Sequence, residues 1–457
     1  MKKIYIYLLV SILCVCSYGC KDFLEIDEPK GQLPSQLVFN SEQTAEAALV
    51  SIYSDLRTRS SVSGNMTGNS LVYGLYTDEL DYYGQPSSPT QNFYSHQVLP
   101  SNAAVKEIWS QGYKNIYNCN AIIEGVTNSV SISNAKKHVL IGEALFLRSM
   151  ILFNLHQSFG EIPLTLTTDY IYNSSIGKSD HSTILEQIIA DLEKSKNLIG
   201  DENLTKKTRV NQFVVSAFLA RIYLYNERWL DAIRESSGLI NSNQFHLEEN
   251  LNTEFLIGSR SVIFHLSPRS SNENTAEGSN LLFEVGPPNN VALSTTFVDS
   301  FKPLDKRRLD WVKQVENDEQ VWYMPYKYKE RFATSESKEY SVIFRIAEQY
   351  LILSEASWKM NDYEQAVINL NIVRNRAGLE SVEWQNSSQF LDLLIEERQH
   401  EFFVEQGLRW FDLKRWNLAG DYLADKKIGW AEKSYLFPIP ESELIINSNL
   451  LPQNLGY

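Results

Sequence analysis

Cysteine is scarce in this sequence. Only four of the 457 residues are cysteine, and Cys14, Cys16 and Cys20 all lie near the N-terminus. If the first two leave with a signal segment and Cys20 is modified, Cys119 alone remains and no internal disulfide can form. Cys119 lies within an apolar helical pattern, which predicts a buried thiol rather than a reactive one.

Basic charge and long apolar runs are also limited. The chain has 42 Lys and Arg against 56 Asp and Glu, giving a formal net charge of -14. No basic stripe occurs, which argues against nucleic acid as a partner. Beyond the N-terminal segment no run reaches 18 uninterrupted apolar residues, so we expect no transmembrane helix in the mature chain.

Complete motifs for catalysis or metal binding are missing as well. Residues 177–179, Gly-Lys-Ser, resemble the end of a phosphate-binding loop, but Tyr172 stands where the earlier glycine is required. His400 and Glu401 lack the second histidine of a zinc motif, and no Gly-x-Ser-x-Gly sequence occurs. The sequence therefore predicts no metal and no cofactor. A pair of glycosidase carboxylates stays open, because Asp and Glu are plentiful.

The densest group of charged residues lies near the C-terminus. Its members are Glu396, Glu397, Arg398, Glu401, Glu405, Arg409, Asp412, Lys414 and Arg415. Side chains three or four residues apart are neighbours on a helix. Since both signs of charge occur at these spacings, we interpret the group as a structural ion network rather than a catalytic acid pair.

The N-terminus has the features of an export signal. Lys2 and Lys3 precede an apolar run from Ile4 to Val15, and small residues lead to Cys20. This pattern predicts a signal peptide over residues 1–19, with Cys20 as the lipidated first residue of a bacterial lipoprotein. Ordinary signal cleavage with Cys20 unmodified is the alternative. Residues 20–40 are polar and predict a flexible tether.

Helical periodicity dominates the rest of the chain, which we expect to form one mostly α-helical domain over residues 41–457. The periodicity fails near residues 58–101 and 242–344, which we interpret as large loop insertions, with a short strand over 261–266. Helices are predicted over residues 41–57, 103–124, 134–159, 181–199, 210–226, 228–241, 345–359, 362–376 and 387–418.

Two of the predicted helix pairs resemble each other. Ala220 precedes Ala232 by twelve residues, and Ser354 precedes Ala366 by the same interval. Small residues at this spacing are typical of tetratricopeptide repeats, where they let two antiparallel helices approach closely. The sequence thus predicts a tetratricopeptide-like scaffold that is interrupted by insertions.

Several motifs, in order along the chain, resemble the SusD/RagB family of outer-membrane nutrient-binding lipoproteins. The N-terminal motif is Cys20-Lys21-Asp22-Phe23-Leu24. The others are Glu143-Ala144-Leu145-Phe146-Leu147-Arg148, Phe159-Gly160-Glu161-Ile162-Pro163-Leu164, Ala220-Arg221-Ile222-Tyr223-Leu224, residues 345–352, residues 370–378, Glu397-Arg398-Gln399-His400-Glu401-Phe402, residues 409–416, Pro438-Ile439-Pro440 and Gln453-Asn454-Leu455-Gly456-Tyr457. Gln399 and Leu455 depart from the usual pattern, which has Arg and Pro there.

The resemblance implies a lipid-anchored protein of the outer membrane that faces the cell exterior. It implies a partner, a SusC-like TonB-dependent transporter, to which captured oligosaccharides are passed, and it implies no catalysis. It also implies that the shared motif residues are scaffold. We therefore expect Arg148, Arg374, Arg376, Arg409 and Asp412 to be core residues.

Aromatic residues in the insertions are the candidates for ligand contact. Aromatic rings stack on the apolar face of a sugar, while polar side chains bond its hydroxyl groups. Residues 76–94 and 305–331 are rich in both kinds, the second segment including Arg307, Arg308 and Arg331. The predicted ligand contacts are Tyr82, Tyr83, Trp311, Trp322 and Tyr323. Trp410 and Trp416 lie in a helical motif and are expected in the core.

The sequence leaves three other functions open. The same scaffold could bind peptides, which strongly charged pocket walls would favour. A structural adaptor for protein partners predicts aromatic residues packed inside and no concave polar pocket. A glycosidase predicts two facing carboxylates in a cleft.

Overall fold

The computed structural model of the protein describes residues 38–457. The predicted signal peptide of residues 1–19 and the lipidation at Cys20 lie outside the described residues. So does most of the tether predicted for residues 20–40. These features therefore stay predictions.

Helices form most of the regular structure, as predicted. In chain order they are α1 (Glu42–Arg59), α2 (Asn69–Tyr76), α3 (Gln91–Tyr94), α4 (Ala103–Asn128), α5 (Asn134–Phe159), α6 (Tyr170–Asn173), α7 (His181–Ile199), α8 (Gln212–Tyr225), α9 (Trp229–Asn241), α10 (Ala276–Leu281), α11 (Thr295–Asp299), α12 (Lys306–Asp310), α13 (Ile346–Lys359), α14 (Tyr363–Arg376), α15 (Ser387–Phe402), α16 (Leu408–Arg415), α17 (Ala419–Leu423) and α18 (Glu441–Ile446). Short 3₁₀ turns occur at Leu251–Thr253, Glu432–Tyr435 and Ser448–Leu450.

The strands form two antiparallel sheets. They are β1 (Leu80–Tyr82), β2 (Val262–Leu266), β3 (Val291–Leu293), β4 (Val312–Glu316), β5 (Val321–Pro325) and β6 (Ser341–Arg345). One sheet has the order β1-β3-β5-β4, and the other pairs β2 with β6. The strand predicted near residues 261–266 is β2. Both insertions therefore contribute to ordered sheet structure.

Side-chain caps fix the beginnings of several scaffold helices. Ser41 Oγ accepts a hydrogen bond from the Thr44 amide at 3.2 Å, as expected for the start of α1. Asp180 caps α7 through the Thr183 amide at 2.8 Å. Such caps satisfy backbone donors that have no partner within the helix.

The helix α5 is the centre of the scaffold. By length and composition it could cross a membrane, but 94% of its most apolar 18-residue window is buried inside the protein. Nearly every residue from Leu140 to Phe159 is buried, including Arg148. The Arg148 guanidinium pairs with Asp191 at 2.8 Å, so its charge is compensated within the core.

The predicted tetratricopeptide-like pairs are α8 with α9 and α13 with α14. Ala220 and Ala232 are fully buried, and Ser354 Oγ donates to the Ala366 carbonyl oxygen at 2.7 Å. A small side chain at each position permits this close approach. Arg221 of α8 bonds to Glu348 of α13 at 2.6 and 2.7 Å and so joins the two pairs.

The first insertion is more structured than predicted. Residues 69–76, within the segment interpreted as loop, form α2, and all eight of its residues are buried. A helix that is buried on every side has no polar face, so the periodicity that reveals an amphipathic helix is missing. Tertiary packing rather than a local sequence pattern therefore determines that this segment is helical.

The prediction of a single helix over residues 387–418 is wrong. The helix α15 ends at Phe402, and α16 begins only at Leu408. Val404 and Gln406 between them have positive φ, and Lys327 Nζ donates to the carbonyl oxygens of Glu401 and Phe403 at 2.9 Å. These long-range contacts compensate the unpaired carbonyls of the helix end and override the helical pattern.

Candidate ligand-binding site

Four of the predicted ligand contacts lie in one sheet or, for Tyr83, directly after its strand β1, but they lie on opposite faces. Leu293 in β3 pairs with Tyr323 in β5 on one side and with Leu80 in β1 on the other. Tyr82 lies two residues after Leu80 in β1. Because side chains alternate along a strand, Tyr82 and Tyr323 share the face of Leu293, whereas Trp322 and Tyr83 belong to the other. The sheet therefore does not present all four rings to one ligand.

Trp311 is a core residue in this structure, contrary to the prediction of ligand contact. Its side chain is fully buried, and Nε1 donates to the carbonyl oxygen of Leu251 at 2.9 Å. The ring packs edge-on against Phe255 with centroids 5.7 Å apart. No ring face is left for a sugar, and the buried indole donor is satisfied within the protein.

Trp322 is also packed inside, with 6% of its surface exposed. It belongs to a small apolar cluster with Phe283 and Met324. Gly286 lies directly on the ring, where an added Cβ would come within 2.2 Å of the indole. In this conformation the segment around Gly286 covers the face that a sugar would need.

The three tyrosines are more accessible. Tyr83 is 40% exposed, and partial burial together with Asp81 raises its pKa. Tyr82 is half-buried and donates its hydroxyl hydrogen to the Gln85 carbonyl at 2.9 Å. The Arg308 guanidinium lies 5.0 Å from the ring centre of Tyr323. Ligand contact by these rings stays a prediction.

Arg307 is not available to a ligand, although the loop that carries it was a candidate. It is fully buried and bonds to Asp305 at 2.8 Å and to Glu397 at 2.5 Å. Burial by itself would raise the pKa of the nearby Glu401 carboxyl, but Arg376, Arg345 and Arg307 hold it well below its ordinary value. The carboxylates of α15 therefore belong to an ion network.

That network keeps one local helical pair, Arg415 with Asp412 at 2.9 Å, but otherwise differs from the pairs expected from spacing. Arg409 pairs with Asp78 at 3.2 Å rather than with Glu405, and Arg398 pairs with Asp412 at 2.6 Å. The partners come from distant segments because α15 and α16 are separate helices. The prediction that these charges are structural agrees with their burial.

The structure also reveals a cavity of about 270 Å³ that the sequence prediction missed. We call it the groove. It lies between the end of α1, the segment after β2 and the segment before β6. Its lining residues are Arg57, Thr58, Asn65, Leu266, Pro268, Arg269, Glu273, Asn274, Thr275, Ala276, Ser279, Arg331, Phe332, Ala333, Tyr340 and Ser341.

The groove combines an aromatic surface with polar groups. Phe332 is 64% exposed, and the Arg331 guanidinium lies 5.1 Å from its ring centre. Tyr340 adds a second, half-buried ring. Asn65 and Glu273 contribute an amide and a carboxylate to the lining. An exposed ring beside hydrogen-bonding side chains is the chemistry that a sugar ring requires.

The walls of the groove are held together by backbone and amide bonds. Asn274 Nδ2 donates to the Phe332 carbonyl at 2.9 Å, and its Oδ1 accepts from the Lys338 amide at 2.8 Å. The Thr334 amide donates to the Asn272 carbonyl at 2.9 Å. The segment that carries Phe332 is thus fixed to the segment after β2, so the ring is positioned before a ligand arrives.

A second cavity, of about 360 Å³, adjoins the groove. Arg57, Leu266 and Arg269 line both cavities, so one continuous depression passes over Arg57. The second part is also lined by Tyr53 and Arg209. Arg209 is already paired with Glu143 at 2.7 Å and with Glu46 at 2.5 Å.

The groove begins just beyond the second candidate segment of the sequence. Arg331 is the last residue of that segment, and Phe332 is the next residue. The other lining residues come from parts of the chain more than 200 residues apart, such as Asn65 and Asn274. Folding alone brings them together, and no local pattern signals it.

The described residues offer no metal site and no facing acid pair in the groove. Within residues 38–457 no group of three His, Cys, Asp or Glu side chains could hold a metal ion. Glu273 is the one carboxylate among the groove-lining residues of the described chain. Cys119 is buried, as predicted, and burial raises the pKa of its thiol to about 12.

Comparison with known proteins agrees with this architecture of a helical scaffold carrying a structured insertion. Residues 22–224 match a family described as starch-binding and associating with the outer membrane, and residues 312–434 match the SusD family itself. The chain belongs to the SusD/RagB family.

Relatives and solved structures match over nearly the whole chain. SusD-like protein P2 of Formosa agariphila is 25% identical, and SusD-like protein P25 of the same organism is 22% identical, with at least 99% of each chain covered. A SusD superfamily structure from Bacteroides vulgatus has a TM-score of 0.79 at 24% identity, covering 92% of this chain and 100% of the other. A laminarin-binding SusD-like protein has a TM-score of 0.78 at 20% identity, covering 92% and 100%. These likenesses show the fold.

Proposed function

We propose that the protein captures oligosaccharides or polysaccharide fragments at the cell surface and passes them to a SusC-like TonB-dependent transporter. It does so without catalysis, as an outer-membrane lipoprotein anchored through Cys20. The observation that carries the proposal is the groove, where the exposed ring of Phe332 lies beside arginine, asparagine and glutamate side chains. The laminarin-binding neighbour of the same fold supports a glycan as the ligand.

Binding to glycans tests the first half of this proposal. We expect the purified protein to be retarded in gels that contain a polysaccharide it recognises and to release no reducing ends from it. Phe332→Ala should weaken binding at least tenfold, because stacking on an exposed ring is lost.

Tyr117→Ala is a matched control, since Tyr117 is an exposed aromatic residue on α4 away from the groove. Equal binding by Phe332→Ala and the unmodified protein would place the ligand elsewhere. In that case Tyr83 on the four-stranded sheet would be the next ring to test.

A peptide ligand is the second candidate, because the charged side chains lining the groove are three arginines and one glutamate. An acidic peptide would suit such walls. The exposed Phe332 ring and the glycan-binding neighbour favour a sugar. Tight binding to peptides, with no binding to any glycan, would reverse this preference.

Docking to the transporter requires an accessible surface, and one apolar patch is available. We call it the apolar patch; it consists of Tyr170, Ile171, Tyr172, Ile445 and Ile446, all of which are exposed. Asn447 Nδ2 donates to the Ile176 carbonyl at 2.9 Å and so holds the two segments together. Apolar patches of this kind are typical of protein interfaces.

The position of the patch suits a partner in the same membrane. The described chain begins beside α4, where Phe39 packs on Gly125. Glu124, the residue before Gly125, accepts a hydrogen bond from the Thr168 amide at 2.9 Å. This bond holds the segment that leads to Tyr170. A lipid anchor at Cys20 would be within about 65 Å of Val38, since 18 residues can span no more than that.

A protein partner fits the patch better than a lipid surface does. Asp169 and Glu443 flank the apolar residues, and acidic groups are repelled by anionic lipids. We therefore commit to the transporter as the occupant. Anchoring both proteins in one membrane raises their effective concentration, so a modest interface is sufficient.

Co-expression with the SusC-like transporter and isolation of the complex tests this surface. Tyr172→Asp with Ile446→Asp should abolish co-isolation, because two charges enter an apolar interface. Leu230→Asp is the control, as Leu230 is an exposed apolar residue on α9. Intact complexes with the double variant would exclude the patch as the docking surface.

A further inference from the structure

The charge of the groove is opposite to that of the protein. The chain carries a formal net charge of -14, yet the groove is lined by Arg57, Arg269 and Arg331 against Glu273 alone. We call the three basic residues the groove arginines. A positive depression on an acidic protein is a local feature, because the protein's overall charge would repel an anionic ligand.

The groove arginines lack carboxylate partners. Among the described residues, no Asp or Glu oxygen lies within 4 Å of their guanidinium nitrogens, although many other arginines form such pairs. In the described chain, Arg269 and Arg331 make no side-chain hydrogen bond, so their donors face the groove or solvent. Arginine donors of this kind can accept an anion without first breaking an ion pair.

Arg57 is held in place but is only partly satisfied. Its Nη1 donates to the Ser267 carbonyl at 3.2 Å and its Nη2 to Ser54 Oγ at 2.9 Å. In the described chain its buried Nε has no partner. Burial lowers the pKa of Arg57, and Arg269 lowers it further while Glu273 opposes this. The positive charge therefore lies where a bound anion would stabilise it.

We propose that the groove selects a negatively charged glycan, one that carries carboxylate or sulfate groups. This inference rests on the proposed function and specifies its substrate class. The groove arginines bind the anionic groups of the sugar, and Phe332 stacks on the ring. Guanidinium groups suit this task because their planar donors match carboxylate and sulfate oxygens in pairs.

The site is long enough for more than one sugar unit. The groove continues over Arg57 into the adjoining cavity, which Arg269 also lines. A chain with a charge on repeated units could thus engage Arg331 at one end and Arg57 with Arg269 further along. Several charged contacts give a strong dependence on salt, because exposed ion pairs are screened at high ionic strength.

Matched pairs of polysaccharides test the inference. A polyuronate is compared with its carboxyl-reduced derivative and a sulfated glycan with its desulfated form, while laminarin serves as a neutral glycan. We expect at least tenfold tighter binding of one charged form than of its neutral counterpart, with weaker binding as salt rises. The two pairs separate carboxylate from sulfate recognition.

Arginine variants locate the effect. Arg269→Ala with Arg331→Ala should reduce binding of the charged glycan at least tenfold and remove most of the salt dependence. Arg260→Ala is the control, because Arg260 is exposed and does not line the groove. Thermal unfolding of each variant should be nearly unchanged, since neither substituted groove side chain has a hydrogen-bond or ion-pair partner in the described chain and the one aromatic contact, of Arg331 with the exposed Phe332 ring, is at the surface.

The outcomes separate this inference from the proposed function. Equal binding of charged and neutral forms, or equal loss of both in the arginine variant, overturns the charge selection and leaves glycan capture intact. Binding of no glycan of either kind overturns the proposed function. Binding of polyglutamate without any glycan, charged or neutral, overturns both in favour of an acidic peptide.

Discussion

Arginines in the interior and arginines in the groove differ in whether a carboxylate of the protein lies within ion-pair distance. Arg307, Arg345, Arg374 and Arg376, which we call the core arginines, each lie within 4 Å of at least one buried carboxylate of the described chain. The groove arginines have no such partner there. A buried charge must be compensated by the protein, whereas an accessible one can be compensated by a ligand.

The comparison also explains why the motif arginines gave no information about the ligand. Arg374 and Arg376 belong to a motif of the family, and their side chains are at most 5% exposed and pair with carboxylates of the ion network. Arg57, Arg269 and Arg331 lie outside the motifs that carry the resemblance. The scaffold residues are therefore those the resemblance identifies, and the groove residues are those it leaves open.

Removing a core arginine should have the largest effect on stability. Arg345 bonds to Glu405 at 2.9 Å and also contacts Glu254 and Glu401. Arg345→Met leaves these buried carboxylates short of positive charge, which should lower the free energy of unfolding by about 3–5 kcal/mol. Urea denaturation measures this change.

The matched groove variant is Arg269→Met, which should change stability by less than about 0.5 kcal/mol. Arg345→Lys retains a positive charge, so its loss in the free energy of unfolding should lie between those of Arg345→Met and Arg269→Met. Similar losses of stability for Arg345→Met and Arg269→Met would show that the presence of a carboxylate partner does not distinguish the core arginines from the groove arginines.

Aromatic residues allow the same comparison with a smaller effect. Trp322 is packed against Gly286, and Phe332 is exposed. Trp322→Ala should cost about 3 kcal/mol of stability through the cavity it leaves, whereas Phe332→Ala should cost less than about 0.5 kcal/mol and weaken glycan binding. Thermal unfolding and affinity electrophoresis of both variants decide this. If Trp322→Ala is as stable as the unmodified protein but no longer binds glycan, Trp322 contacts the ligand after all.

The scaffold could be predicted from the sequence because its signals are local. Helical periodicity, caps such as Ser41 and the twelve-residue spacing of Ser354 and Ala366 all act within one or two helices. The helix α2 was missed because burial on every side removes periodicity. The break after Phe402 was missed because distant partners, among them Lys327, stabilise it.

The site was predicted less well for a similar reason. Aromatic residues in loops are found both in binding surfaces and in small cores, and local sequence does not distinguish them. Trp311 and Trp322 lie in such cores, while Phe332 lies in the groove. Exposure depends on which segments pack over a ring, and that is settled by contacts between residues far apart in sequence.

Buried carboxyls extend the comparison to pH, where the expected effect per pH unit is the smallest. Glu401 faces three core arginines, and they keep its pKa low. Glu79 instead accepts from the Val404 amide at 3.0 Å, and burial raises its pKa to about 8. A carboxyl with a raised folded pKa stabilises the protein at low pH, and this contribution is lost as pH rises from about 4.5 towards 8.

Glu79→Gln isolates this contribution, because the amide does not titrate. Between pH 6.5 and 8 the unfolded chain has Glu79 ionised while the folded protein still holds its proton. The stability of the unmodified protein relative to the variant should therefore fall by up to about 1.4 kcal/mol per pH unit. Urea denaturation of both proteins at several pH values gives the difference. A difference that stays constant with pH would mean that Glu79 is already ionised in the folded state and is compensated, as Glu401 is, by positive charge.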